Sequence, residues 1–135
     1  MFPDVYAHIT NAIGATPVIN DPFTHIFVRD VFPHDFYQEM LAKLPEPAKY
    51  QALADVGHVS DDYNRSRLIF SGQPQHLGLL QPELAEFWDK LFGTLQNTQF
   101  INFIHQKFGD AINGRFANPE TALEGEHLIG AESFL

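Results

Sequence analysis

The sequence predicts an α+β fold in which helices buttress a small or incomplete antiparallel sheet, and three observations predict it. Residues 81–109, QPELAEFWDKLFGTLQNTQFINFIHQKFG, place Leu84, Phe87, Trp88, Leu91, Phe92 and Leu95, then Phe100, Ile101, Phe103, Ile104 and Phe108, at helical spacing. Residues 23–32, FTHIFVRDVF, are β-branched and aromatic, with His25, Phe27 and Arg29 alternating with Ile26, Val28 and Asp30. Finally, 135 residues that are 44% hydrophobic and include thirteen phenylalanines suffice for one core, so residues 1–135 read as a single domain.

The elements follow in order. From Pro3, the spacing of Val5, Ile9 and Ile13 predicts a short amphipathic helix, with Asp4 near its start and Gly14 placed to end it in a left-handed residue. Pro17, Val18 and Ile19 read as extended chain, and Asn20-Asp21-Pro22 as a turn, because proline moves the preceding residue away from helical backbone. The 23–32 strand is stopped by Pro33. From His34, the spacing of Phe36, Tyr37, Met40, Leu41 and Leu44 predicts a helix closed off by Pro45 and Pro47.

Periodicity is lost over residues 48–65, where Gly57, Ser60, Asp61, Asp62 and Asn64 accumulate, predicting a long surface loop. SRLIFS, residues 66–71, is a short strand broken by Gly72-Gln73-Pro74. Pro82 suits a first helical position, with Glu83 and Glu86 complementing the helix dipole. Asn97-Thr98 is an N-cap that splits the region into two helices, the second ending at Gly109. Asn113-Gly114 and Asn118-Pro119 mark turns, and residues 127–135, HLIGAESFL, read as extended.

Composition excludes several classes of function. Eight lysines and arginines against seventeen carboxylates give a net charge of −9, which disfavours nucleic acid, since phosphate binding depends on cations releasing counterions. Without cysteine the chain makes no disulfide, thiolate nucleophile or cysteine-ligated zinc. No segment approaches the ~18 apolar residues that span a bilayer, and the N-terminus has no basic leader before an apolar run, so no membrane partner and a cytoplasmic location are expected.

Among the seven histidines, His8, His25, His34, His58, His76, His105 and His127, none has an acid two residues later, and no His-Glu-x-x-His helix occurs. Glu124 and His127 are three apart, but Gly125 lies between them and the pair has no second copy. His105 lies among apolar residues and reads as a partly buried, hydrogen-bonded side chain. His58, Asp61 and Asp62 share a polar loop that reads as solvated rather than as a metal or acid-base cluster. Ser60, Ser66 and Ser71 lack the flanking glycines of a nucleophile elbow, and no Gly-rich phosphate loop is present. Arg65 and Arg67 could each grip a ligand carboxylate, but the acidic balance favours pairing with Asp61, Asp62 or a nearby Glu.

Pro22-Phe23 through Phe32-Pro33 to Phe36-Tyr37 and Leu44-Pro45, then Arg67-Leu68-Ile69-Phe70, then Phe87-Trp88 and Phe100-Ile101 to Phe108-Gly109, form an ordered series. Over about residues 20–135 the series resembles the N-terminal part of bacterial 2-oxoglutarate and Fe(II)-dependent oxygenases of the prolyl-4-hydroxylase-like type. The resemblance implies helices that support one sheet of a double-stranded β-helix. It also implies that the His-x-Asp pair, the distal histidine and the basic residue for 2-oxoglutarate come later in such proteins, beyond a strand that Ala131-Glu132-Ser133-Phe134-Leu135 looks like the approach to. It therefore assigns no catalytic, cofactor-binding or metal residue to this sequence. Fe(II) and 2-oxoglutarate are implied for a full-length relative only.

The expectation is a partial domain, a truncated product or fragment, inactive as an oxygenase alone. Three ligands converging from separate barrel strands need a barrel, and one or two strands cannot close one. An incomplete sheet leaves an open edge and apolar surface, which predicts a protein partner or self-association through the C-terminal segment. Trp88, Phe92, Phe100 and Ile104 are the positions expected to meet the sheet or a partner. The alternatives are a non-catalytic α+β protein-interaction module and a small hydrolase or metal enzyme built on His58, Asp61 and Asp62.

Overall fold

The computed structural model describes residues 1–57, 59–60 and 62–117. The architecture is α+β: helices α1 (Pro3–Ala15) and α2 (His34–Ala42), a 3-10 turn (Pro47–Lys49), strand β1 (Gln51–Ala52), α3 (Leu53–Val56), β2 (Leu68–Ile69), α4 (Pro74–Leu77), α5 (Pro82–Leu95) and α6 (Thr98–Ala117). Strands β1 and β2 pair antiparallel, Gln51 opposite Ile69 and Ala52 opposite Leu68. The chain forms two compact units, one of Met1–Phe2 and His34–Gly93, the other of Pro3–Pro33 with the chain from Thr94 onward.

The first unit is built on aromatic side chains. α5 begins where Pro82, whose missing N–H costs nothing in the first turn, follows Gln81, and Ala85 N–H returns to Gln81 O at 2.9 Å. Its residues Phe87, Trp88 and Leu91 are buried, and Phe87 meets the buried Phe36 of α2. Phe36 and Phe87 stack at 5.6 Å, and Phe2 closes over both, 5.0 Å from Phe36 and 5.5 Å from Phe87. A second side of α5 faces Phe70, just after β2, through Trp88 at 6.3 Å and Phe92 at 6.4 Å. Such pairs each contribute ~1 kcal/mol beyond the area they bury.

Polar groups at the ends of α2 are drawn into this cluster. Trp88 Nε1 donates to Lys43 O at 2.8 Å, just past the end of α2, so a buried indole and a helix-terminal carbonyl satisfy each other. The Lys43 ammonium lies 4.5 Å from the Phe87 ring centroid and 2.6 Å from Glu39 Oε1. On the outer face of α5 the hydrogen bond from Lys90, one turn on, holds the Glu86 carboxyl below its usual range.

In the second unit α1 packs against α6. Val5, Ile9 and Ile13, four apart, are buried, and Tyr6 meets Phe100 edge-on at 6.3 Å. Lys107 Nζ donates to Gly14 O at 3.1 Å and Thr16 O at 2.5 Å, placing a cation on the negative end of α1. Asn97 caps α6 as the sequence predicts: Phe100 N–H donates to Asn97 Oδ1 at 2.9 Å, while Asn97 Nδ2 donates to Thr94 O at 2.8 Å.

Four expectations are corrected. Residues 23–32 form no regular strand; among the described residues a single antiparallel bridge joins Ile19 to His25. The β pattern is there, but a strand exists only where a neighbour supplies a ladder, and propensity cannot supply one. Residues 48–65 are not all loop, since the 3-10 turn, β1 and α3 lie within them. α6 does not stop at Gly109 but runs through Asn113-Gly114 to Ala117. No glycine there takes positive φ, so the backbone a tight Asn-Gly turn requires is not adopted, and glycine in a helix costs only ~1 kcal/mol. α1 likewise passes through Gly14 to Ala15 without a left-handed residue. The turn read at Asn118-Pro119 and the extended segment 127–135 lie outside the described residues.

Two substitutions test this packing. A Cβ on Gly72 would lie 2.8 Å from both Cγ and Cδ2 of Phe92, so Gly72→Ala should destabilise by about 1–3 kcal/mol in urea unfolding. Asn97→Ala removes the α6 cap and should cost about 0.5–2 kcal/mol by the same measurement, with Asn97→Asp retaining most of the stability.

Candidate functional site

Among the described residues, a buried histidine gathers a polar arrangement to which the sequence assigns no role. His76, in α4, is only 2% exposed. Its Nδ1 accepts the Ser71 backbone N–H at 3.0 Å, so the proton sits on Nε2, which donates to Gln51 Oε1 of β1 at 3.2 Å. With Nδ1 an acceptor, the Ser71 hydroxyl 2.8 Å away donates to it, and that oxygen accepts Gln73 N–H at 3.3 Å. The Phe70 ring lies stacked against the imidazole, centroids 6.0 Å apart.

Serine, histidine and amide thus stand in line, the residue types of a nucleophilic relay. The geometry turns them inward. The Nδ1 lone pair is shared with a backbone N–H, and the imidazole is closed off from solvent and covered by Phe70. What the cluster does is fasten β1, the turn after β2 and α4 to one another. The pattern Ser-Gly-Gln-Pro before a short helix carried a local signal, a serine turn leading into a proline-started helix. Gln51, twenty-five residues from His76, carried none.

The other sequence candidates are scattered. Arg65 Nη2 reaches both carboxylate oxygens of Asp55, at 2.6 and 2.7 Å, so among the described residues its partner is the α3 residue Asp55 and not Asp62 or a Glu. α3, absent from the sequence reading, is what brings that carboxylate round. Both side chains are exposed, so the pair contributes at most ~1 kcal/mol. Arg67 Nη1 donates to the Tyr63 hydroxyl at 2.5 Å, with its guanidinium 5.7 Å from the Tyr63 ring centroid. His58 and Asp61 lie outside the described residues, as do Glu124 and His127. Asp62 is exposed, its carboxyl held below the usual range by a hydrogen bond with the Ser60 side chain. Ser60 and Ser66 are exposed too.

His105 corrects its expectation: it is exposed, because α6 turns it outward with Asn102, Gln106 and Asp110 while Ile101, Ile104 and Phe108 turn inward. His25 Nδ1 bonds Phe23 O at 2.7 Å, and His8 Nε2 bonds Asp30 O at 2.8 Å. Among the described residues no three of His, Asp or Glu converge to hold a metal ion, and no helix is long and apolar enough to cross a membrane.

No family model matches this chain, and neither a curated protein nor a solved structure does.

The histidine cluster makes a graded prediction. His76→Ala should lower stability by about 2–4 kcal/mol, from the cavity together with the stranded Ser71 and Gln51 groups, while Ser71→Ala should cost about 1 kcal/mol. Urea unfolding followed by circular dichroism measures both. Equal stability of His76→Ala and the parent chain would remove the cluster from any part in the fold.

Proposed function

We propose that this chain is the N-terminal helical and strand support segment of a 2-oxoglutarate/Fe(II) oxygenase-like protein and carries no oxygenase chemistry of its own. One observation carries the reading: the order of elements, α2, then β2 at Leu68–Ile69, then α5 and α6 broken at Asn97. That is the order in which the resembling residues fall. Supporting it, the side chains gathered in both units are apolar and aromatic, as suits a layer that braces another. A cytoplasmic site of action belongs to the same reading.

Incubated with Fe(II) and 2-oxoglutarate, the purified chain should form no succinate above a metal-free control. Turnover above that control would sink the reading.

A second reading, a non-catalytic protein-interaction module, is favoured by the exposure of Phe23 (66%) and Phe27 (69%). It expects a discrete oligomer, with itself or a partner, in size-exclusion chromatography with light scattering; a monomer at all concentrations, or aggregation without a defined size, counts against it.

A further inference from the structure

We propose that Asn113 is a self-modifying site, at which the backbone nitrogen of Gly114 converts the side-chain amide to aspartate and isoaspartate, and that the α6 helix holds the reaction back. The site goes beyond both readings of function and depends on neither.

The sequence singles out the pair. Asn113 is followed by glycine, whereas at every other asparagine the following residue carries a side chain. A glycine nitrogen has no neighbouring Cβ to block its approach to the preceding side chain, and its backbone turns most freely. Water is the one co-reactant. The Gly114 nitrogen bonds to Asn113 Cγ, its proton leaves with the amide nitrogen as ammonia, and a succinimide ring closes. Water then adds to one of the two ring carbonyls and breaks that carbon's bond to nitrogen, giving aspartate from one side and isoaspartate from the other. In sum, amide and water become carboxylic acid and ammonia, with no oxidant or reductant.

The fold makes no demand for this glycine. Gly114 does not take positive φ, and a Cβ built on it meets nothing within 4 Å among the described residues. Glycine is among the poorest helix formers, and the asparagine beside it ranks well below alanine. α6 is therefore weakest where the reactive pair sits.

What the fold supplies is restraint. Within α6, helical backbone directs the Gly114 N–H to the Asp110 carbonyl, one turn back, and keeps ψ of Asn113 in the helical range. Ring closure requires that hydrogen bond to break and that ψ to rotate away, so the reaction proceeds through local opening of α6. The contacts that fasten α6 to α1, Tyr6 with Phe100 and Lys107 with the Gly14 and Thr16 carbonyls, lie earlier in the helix and survive such an opening.

The products oppose reclosure. Isoaspartate adds a methylene to the main chain, which puts the helical hydrogen bonds out of register across it. Aspartate places a second carboxylate three residues from the exposed Asp110, a like-charge pair on one helix face. Opening permits conversion and conversion favours opening, so the pair acts as a one-way device.

The test incubates the full chain at neutral pH, folded or in guanidinium chloride, and follows residue 113 by peptide mapping with mass spectrometry, separating isoaspartate from aspartate by retention against synthetic standards. Isoaspartate is expected in both samples, forming about tenfold or more slowly in the folded chain. Gly114→Ala should slow the reaction about tenfold in the denaturant, where no helix contributes. Folded chain that has converted should exchange backbone hydrogens faster around residue 113 than fresh chain. Equal rates with and without denaturant, aspartate without isoaspartate, a Gly114→Ala rate equal to the parent's, or unchanged exchange after conversion overturns the proposal. So does the absence of product from the folded chain after an incubation about a hundredfold longer than the denatured sample needs.

Discussion

The indole of Trp88 is the point on which the first unit turns. A buried tryptophan brings a large apolar area and one N–H that must be satisfied, and few backbone carbonyls are both buried and unspent. A carbonyl at the end of a helix is one of them, and Trp88 takes that of Lys43. One hydrogen bond contributes only ~1 kcal/mol net, but leaving either group unpaired would cost more, so the bond fixes where α5 crosses the end of α2. Phe87 and Phe36 then have one relative position open to them, and the stacked pair with Phe2 above it follows.

The same residue sets the far side of α5. Trp88 and Phe92 present a surface to Phe70, and Phe70 is held there because β2 pairs with β1 immediately before it. Gly72 passes so close to Phe92 that a side chain would collide, which draws the following turn over the ring. Within that turn the buried imidazole of His76 satisfies the groups the close approach strands. A two-residue strand pair is too short to be stable alone. Here it is clamped by an aromatic layer beneath and a polar latch at its end, with Gln51 belonging to both the ladder and the latch.

The exposed aromatic residues and the closed polar cluster differ in what they leave to solvent. His76, Ser71 and Gln51 have chemically capable groups but spend them on one another. Phe23, Phe27 and Arg29 lie largely exposed.

By itself the sequence determined the helices that carry strong apolar periodicity, α1, α2, α5 and α6. It also placed the break between the last two, because Asn97 caps through atoms only three residues away. These are local effects, decided within a turn or two of chain. Tertiary structure decided the rest. Whether FTHIFVRDVF becomes a strand depends on a neighbour at hydrogen-bonding distance. Whether Asn113-Gly114 turns or stays helical depends on cooperativity with the helix already running into it. Gln51 meets His76, and Asp55 meets Arg65, across separations that no spacing rule spans. Side-chain pairing at long range is an outcome of packing, and packing is where periodicity ceases to inform.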